Sequence, residues 1–273
     1  MLINRMLGAV PFAWRSRIRR IPGVAEAQRA IVAAAMDGRE FVHEVDAGPA
    51  RGMRLLVKMP EDKGIWTGTY EAEFAAAVAA AVEPGMVACD IGGWHGFFAA
   101  IMSAHGAKCV HVFEPLPENG ERIERLGALN PRFDIRLHAC AVGDRDGRID
   151  LSVMPQSSMA KIAGSAFQPD APQDRRLNVR LASLDSLVVS GEVAPPDIVK
   201  IDVEGAEALV LRGAANVLKR HAPIVFAEVH TPALLAECGS LLSEAGYRVA
   251  LIGPGFGAAG GDPVHIRATQ RGA

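Results

Sequence analysis

Residues 86–115 read MVACDIGGWHGFFAAIMSAHGAKCVHVFEP. The stretch opens with a short apolar run (86–91) that ends at two glycines. It closes with a second β-rich run (108–113) that ends at a glutamate and a proline. The residues between these runs, 95–104, have a helix-like pattern. A strand, a helix and a second strand in this order predict a βαβ unit with parallel strands.

The same alternation continues towards the C-terminus. Helical patterns separate further strand-like runs, and these runs lie at 134–142, 197–203, 223–229, 247–252 and 264–269. Their near-continuous apolar character is typical of strands that are buried on both faces. We therefore predict an α/β fold with a mostly parallel sheet and helices on both faces.

The alternation covers only part of the chain. We predict an N-terminal extension over residues 1–70, helical at 23–37 and then irregular or β-like, followed by the main domain over residues 71–273. Residues 147–180 interrupt the rhythm with a stretch rich in Ser, Ala, Pro and Gln. A connection this long inside a compact domain is usually a lid or a binding segment, so we expect it to contact the acceptor substrate.

Composition excludes several classes of function. The chain has 273 residues, is 49% hydrophobic and carries a formal net charge of −2, which argues against a nucleic-acid binder. It has no apolar stretch near the ~20 residues that span a bilayer. The N-terminus does not have the pattern of a signal peptide. Its four cysteines form no CxxC pair, so we expect reduced, partly buried thiols in a cytoplasmic protein.

A basic cluster near the N-terminus is the one feature that suggests a membrane. Four arginines follow Phe12 and Trp14, namely Arg15, Arg17, Arg19 and Arg20. Such a cluster can contact an anionic membrane surface or a lipid-linked glycan. We favour the simpler interpretation, a solvated N-terminal arm.

The turn after the first strand has the features of a nucleotide-type site. In an open parallel sheet, ligands bind beyond the carboxyl ends of the strands. Gly92, Gly93 and Gly96 allow a tight turn and a close approach of a ligand to the backbone. Glu114 follows the second strand, at the position where such folds bind a ribose diol. Together these residues predict a ligand that contains a nucleoside.

The same turn distinguishes between possible ligands. The dinucleotide fingerprint GxGxxG fails, because Ile91 stands where its first glycine would be. The turn also opens with Asp90, whose carboxylate would repel a pyrophosphate but attract an ammonium or a sulfonium. S-adenosyl-L-methionine carries both cationic groups and a ribose diol, so we predict it as the cofactor.

Several motifs carry a family resemblance. They are MVACDIGGWHG (86–96), VFEPLPEN (112–119), ACAVGDRDG (139–147), SLDSL (183–187), DIVKIDVEGAEALVLRGA (197–214) and PIVFAEVH (223–230). They resemble the FkbM-type S-adenosylmethionine-dependent methyltransferases, and KIDVEGAE is the most specific of them. The resemblance implies a seven-stranded Rossmann-like fold of class I methyltransferases and O-methylation of a hydroxyl, usually on a sugar or a natural product.

The resemblance also implies roles for individual residues. Asp90, Gly92 and Gly96 would lie along the methionine part of the cofactor, Glu114 would bind the ribose, and Ala141 and Val142 would flank the adenine. From their positions in the chain we add three residues to this predicted cofactor site, namely Gly93, Asp202 and Tyr70. Trp66 and Trp94 are candidates to stack on a sugar face.

Charged residues follow two later strands and are the catalytic candidates. If the strand stays extended, alternation puts Lys200, Asp202 and Glu204 on one face, and the next strand does the same for Glu228 and His230. A hydroxyl needs a base to remove its proton, and His230 is the first candidate because its unperturbed pKa is near ~6.5. Asp202 is the second candidate, and Glu204 is the third member of the predicted catalytic set.

Alternatives remain open at this stage. Asp202, Glu204, Glu228 and His230 together have the ligand types for a divalent cation that binds a diol, although no spacing motif supports a metal site. The acceptor can instead be a non-sugar molecule that is methylated on oxygen or nitrogen. A nicotinamide oxidoreductase is disfavoured by the failed glycine fingerprint. A non-catalytic binding protein is disfavoured by the intact cofactor loop.

Overall fold

A computed structural model describes residues 40–59, 61–153, 160–162, 175–256 and 263–270, with the backbone alone at 160–162. The chain divides into two units, one of residues 1–41 and 57–63 and one of residues 42–56 and 64–273. Few residues of the first unit are described. Two of them, Lys58 and Glu61, form an ion pair. The predicted helix at 23–37 and the basic cluster at 15–20 lie outside the described residues.

The described residues form strands and helices in the following chain order: β1 (Glu40–Glu44), β2 (Arg54–Lys58), α1 (Lys63–Thr67), α2 (Ala72–Ala81), β3 (Val87–Ile91), α3 (Phe97–Ala104), β4 (Cys109–Phe113), α4 (Pro117–Leu129), β5 (Ile135–His138), β6 (Ala141–Val142), β7 (Gly147–Val153), β8 (Ala160–Ile162), β9 (Arg175–Ala182), α5 (Leu184–Val189), β10 (Ile198–Ile201), α6 (Glu207–Arg212), α7 (Ala215–His221), β11 (Ile224–Val229), α8 (Pro232–Glu244), β12 (Tyr247–Ile252) and β13 (Val264–Gln270). Not one of these helices has the length and apolar character needed to cross a membrane.

Seven strands form the main sheet, in the order β12-β13-β11-β10-β3-β4-β5. Strands β11, β10, β3, β4 and β5 run parallel to one another, and β13 pairs antiparallel with both β11 and β12. Every residue of β4 and of β10 is buried, as expected for strands covered on both faces. The sheet confirms the predicted Rossmann-like α/β fold with a mostly parallel seven-stranded sheet.

Two predicted strands are shorter than expected. The run 134–142 breaks where the Cys140 N–H donates to the His138 carbonyl oxygen at 2.8 Å, and this tight turn diverts the chain into another sheet. Strand β10 ends at Ile201 rather than at residue 203. Glu204 and Gly205 have φ angles of 52° and 93°, so the chain leaves the extended conformation there. The condition for alternation through Glu204, a strand that stays extended that far, is therefore not met.

A second sheet accounts for the break in the rhythm at 147–180. Its four strands lie in the order β6-β9-β7-β8, and every residue of β7 pairs antiparallel with β9. Residues 154–159 and 163–174 lie outside the described residues. The parts of this segment that the structure describes are therefore strands, and the role of the segment as a lid or acceptor contact stays a prediction.

Candidate active site

A cavity of about 330 Å³ lies beyond the carboxyl ends of β3, β4 and β10. Its walls include residues that directly follow these strands, such as Gly92, Glu114 and Asp202. Apolar side chains, among them Ile91 and Phe113, make up much of the remaining surface. The cavity has the position expected for a ligand in an open parallel sheet.

Glu114 has a carboxylate that the backbone holds in one orientation. The Trp94 N–H donates to Oε2 at 2.9 Å, and the Leu116 N–H donates to Oε1 at 2.8 Å. Burial raises the pKa of Glu114 to about 7, and these backbone N–H groups oppose the rise. Each oxygen keeps a lone pair that can accept a hydrogen bond from a ligand hydroxyl.

The glycine turn is shaped by close backbone approaches. Gly92 has a φ of +77°, and a Cβ added there would meet the Asp202 carbonyl oxygen at 1.7 Å. A Cβ at Gly93 would meet Val112 Cγ1 at 2.1 Å. Gly96 is the N-cap of α3 with a φ of 86°. Gly92 lines the cavity, whereas Gly93 and Gly96 do not and instead give the turn its shape.

Asp90, predicted to lie along the cofactor, is not among the residues that line the cavity. Its side chain is fully buried, and Oδ1 is 3.4 Å from Lys200 Nζ. Lys200 Nζ also donates to the Gly92 carbonyl oxygen at 3.0 Å and to Asp202 Oδ2 at 3.3 Å. Burial opposes the charge on Lys200, but the carboxylates of Asp202 and Asp90 outweigh it and raise the Lys200 pKa. The lysine thus ties the glycine turn to the end of β10.

His230 lies at the centre of an acidic cluster. Its Nδ1 is 2.8 Å from Glu207 Oε1, and an ionised carboxylate only accepts, so Nδ1 carries a proton. Its Nε2 faces three more carboxylate oxygens, at 3.4 Å from Glu204, 3.6 Å from Glu228 and 4.0 Å from Asp202. Burial of the ring favours the neutral form, but the hydrogen bond to Glu207 and the surrounding charges raise the His230 pKa to about 9. At neutral pH this histidine is therefore a cation.

Glu204 is the member of the cluster that lines the cavity together with Asp202. Burial raises the pKa of Glu204 to about 7, against the attraction of His230. The structure therefore brings the predicted catalytic residues Asp202, Glu204 and His230 together. His230 does not itself line the cavity.

A second acid–histidine group adjoins the first and was not predicted. His265 Nε2 is 3.3 Å from Glu228 Oε2 and 3.5 Å from Glu71 Oε2. Hydrogen bonding to Glu228 and Glu71 outweighs burial and raises the pKa of His265 to about 9. Glu207, the buried partner of His230, was also missed. No local signal in the sequence marks His265, whereas Glu207 stands inside the KIDVEGAE motif.

Most of the predicted aromatic and adenine-flanking residues line the cavity, but Trp66 does not. Tyr70 and Trp94 line the cavity, and their ring centroids are 5.7 Å apart. Ala141 and Val142 also line it. Trp66 instead forms a T-shaped ring contact with His43, 5.9 Å between centroids, and is not among the residues that line the cavity.

The cation alternative has two geometric candidates in the described part of the chain. Asp202, Glu204 and His230 each offer one ligand atom within 4.8 Å of the others, and so do Glu71, Glu228 and His265. A protonated ring at each histidine accounts for the short distances without a metal, because each Nε2–H then points at carboxylates. A cation at Asp202, Glu204 and His230 stays an alternative, and the group of Glu71, Glu228 and His265 was not considered from the sequence.

Comparisons with known proteins agree with the motifs. Residues 86–249 match the family described as the methyltransferase FkbM domain. The chain is 32% identical over 156 residues to the hexuronic acid methyltransferase AglP of Haloferax volcanii, covering 57% of this chain and 61% of that protein. It is 27% identical over 199 residues to the 31-O-demethyl-FK506 methyltransferase FkbM of Streptomyces tacrolimicus, covering 62% of this chain and 75% of that one.

Among solved structures, the FkbM methyltransferase of Methylobacillus flagellatus matches with a TM-score of 0.49 and 16% identity, covering 76% of this chain and 55% of that one. The chain thus spans less than two thirds of the length of some relatives that it matches. The family match itself covers more than half of the chain and includes every motif from the glycine turn to PIVFAEVH. The chain therefore belongs to the methyltransferase FkbM family, as its motifs predicted.

Proposed function

We infer that this protein is an S-adenosylmethionine-dependent O-methyltransferase whose acceptor is a hydroxyl of a sugar, in a glycan or a glycosylated metabolite. Support for a sugar comes from the relative whose name specifies a hexuronic acid. Support for an oxygen acceptor comes from the relative whose name specifies a 31-O-demethyl compound. The non-sugar acceptor remains the alternative, and the experiment below separates the two.

The residues present fit the cofactor. Glu114 offers two carboxylate oxygens for the ribose hydroxyls, and the apolar wall that includes Ala141 and Val142 suits an adenine ring. Asp202 and Glu204 supply negative charge that suits a sulfonium or an ammonium. The observation that carries the proposal is that a single cavity brings Glu114 and this acidic pair together.

S-adenosylmethionine supplies a methyl group on a positively charged sulfur. When bound, the cofactor would donate this methyl group to the acceptor oxygen, and a residue of this chain would take up the hydroxyl proton as the base. Glu204 suits this role better than His230, because it lines the cavity and its pKa of about 7 is close to the working pH. The charged ring of His230, 3.4 Å away, then orients Glu204 and stabilises its ionised form.

The first experiment measures cofactor binding by calorimetry. Wild-type protein should bind S-adenosylmethionine and should not bind NADH. Glu114→Gln should weaken binding by about 1–3 kcal/mol, because the amide loses a charged acceptor. Glu121→Gln is the matched control, since Glu121 is exposed on the neighbouring helix α4. Unchanged affinity in Glu114→Gln would contradict the ribose assignment, and binding of NADH alone would contradict the whole proposal.

The second experiment measures release of S-adenosylhomocysteine with a panel of methyl glycosides, methyl glucuronides and non-sugar alcohols. Turnover with glycosides only supports the sugar acceptor, and turnover with the other alcohols only supports the alternative. Lack of turnover with every acceptor, alongside intact cofactor binding, would favour a non-catalytic role.

The same assay tests the base. Glu204→Gln should lower the rate by a factor of about 10²–10⁴ while S-adenosylmethionine still binds. The wild-type rate should rise with pH through about 7, as Glu204 ionises. Dialysis against EDTA should leave the rate unchanged. A loss of rate that Mg²⁺ or Mn²⁺ restores would favour the cation alternative instead.

A further inference from the structure

Glu228 connects the His230 cluster to the last strand of the sheet. It stands directly opposite His265 in the antiparallel pair of β11 and β13, so the two side chains project to the same face. Its Oε2 contacts His265 Nε2 at 3.3 Å, while its Oε1 lies 3.6 Å from His230 Nε2. One carboxylate thus faces a ring on each side.

The ring of His265 is fixed by its neighbours. It stacks on Phe74 of α2 with 4.1 Å between centroids and an interplanar angle of 15°. Its Nε2 lies between Glu228 and Glu71, where a single N–H faces two carboxylates. Glu71 has a φ of 41° at the start of α2, next to the cavity residue Tyr70.

The surroundings of Glu228 disfavour its charge. Its side chain is 13% exposed, and burial together with the negative charges of Asp202 and Glu71 raises its pKa, whereas His265 and His230 lower it. An ionised Glu228 in turn raises the pKa of Glu204, so the charge on this carboxylate affects the proposed base. Among the described residues, the other charged and titratable groups that interact with Glu228 or His230 are Lys200, Glu204, Glu207 and Tyr70.

We propose that His265 is a positioning residue of the methyl-transfer site: its charged ring keeps Glu228 ionised, and the ionised Glu228 strengthens the base Glu204 and holds His230 in its charged form. The inference rests on the proposed function, because the charge on Glu228 serves methyl transfer only if Glu204 is the base. Removal of His265 takes away one of the two charged rings beside Glu228 and leaves the negative charges of Asp202 and Glu71, so Glu228 then takes up a proton.

The sign of one measurable shift distinguishes this mechanism from a purely structural role. If Glu228 becomes neutral when His265 is removed, His230 loses a negative neighbour and its pKa falls. If Glu228 stays ionised, His230 loses only a positive neighbour further away, and its pKa stays the same or rises. Packing of His265 on Phe74 predicts neither shift.

The test is a pH titration of the full-length protein labelled with ¹⁵N-histidine, followed by NMR, which needs no acceptor. The His230 signal is assigned from its absence in His230→Gln. In His265→Gln we expect the pKa of His230 to fall by about half a unit or more. In the control His105→Gln, which removes an exposed ring bonded to the Pro49 carbonyl oxygen, we expect no change. An unchanged or raised His230 pKa in folded His265→Gln would overturn the proposal.

If His265→Gln does not fold, Glu228→Gln provides the second variant. It keeps both rings but removes the charge of the carboxylate between them, so the pKa of His230 should fall by about half a unit or more. An unchanged His230 pKa would then overturn the proposal. Because these titrations need no methyl transfer, their failure leaves the cofactor and turnover tests intact, and failure of those tests is seen without any His265 variant.

Discussion

The Glu114→Gln variant should also differ from the wild type in its free energy of unfolding. Glu114 is only 6% exposed, and burial raises its pKa from an ordinary 4.5 to about 7. One pKa unit corresponds to about 1.4 kcal/mol, so the difference between the folded and unfolded chain amounts to about 3 kcal/mol. The folded wild-type protein bears this cost whenever Glu114 must be ionised. Glutamine has nearly the same shape and no charge, so the variant bears none of it.

The pH dependence follows from the sign of the shift. Below pH 4.5 the carboxyl is neutral in both the folded and the unfolded chain, and it contributes no penalty. Between pH 4.5 and about 7 the unfolded chain ionises first, so the wild type loses stability as the pH rises. Above about 7 the loss is complete. The free energy of unfolding of Glu114→Gln, relative to wild type, should therefore increase by up to about 3 kcal/mol from pH 4.5 to 8.

The assay is urea denaturation of both proteins without ligand at several pH values. Glutamine has one acceptor oxygen where the carboxylate has two, so one of the bonds from Trp94 and Leu116 is lost. That loss of about 1–3 kcal/mol does not vary with pH and leaves the slope unchanged. Glu121→Gln should give a difference that is flat with pH. A flat difference for Glu114→Gln as well would refute the reasoning.

Three further predictions follow from the interior. Gly92→Ala should unfold the glycine turn, because the added Cβ would meet the Asp202 carbonyl oxygen at 1.7 Å; thermal unfolding measures this, and an unchanged midpoint would contradict it. Gly127→Ala, whose Cβ meets nothing closer than 4.0 Å, is the control and should gain up to about 1 kcal/mol. Lys200→Met should cost about 3–5 kcal/mol in urea denaturation, because it leaves the fully buried Asp90 without its cation. Adding Asp90→Asn should recover part of that loss, and an equally unstable double variant would argue against the pairing. A thiol reagent should label the native protein only as fast as it unfolds, because all the cysteines are buried; rapid labelling at pH 7 would contradict this for Cys89, Cys109, Cys140 or Cys238.

The βαβ unit at 86–115 was predictable because its information is local. Apolar runs, glycine turns and helix-forming residues act within a few positions of one another. The predicted strands at 86–91 and 108–113 agree with β3 and β4 to within one residue at either end. The strand 134–142 was wrong because composition does not show that a turn at Cys140 sends the chain to another sheet.

The residues of the site likewise differ in whether local sequence patterns could predict them. The glycine turn and Glu114 directly follow strands, so the rule for open parallel sheets located them from sequence. The proximity of Asp202 and His230 could also be predicted, because it requires only that β10 and β11 are neighbouring strands. His265 could not be found in this way, because its partnership with Glu228 depends on the antiparallel register of β13.

The sequence by itself therefore determined the family, the type of sheet and the residues after its first strands, since short-range patterns and motifs carry that information. Only the tertiary structure decided which acids share a histidine and which of them reach the cavity. It also decided their charge states, because burial and the distances between charges set the pKa values of Glu204, His230 and His265. Charges at separations of 3–4 Å are coupled strongly in a buried site, and those separations exist only after the strands have paired.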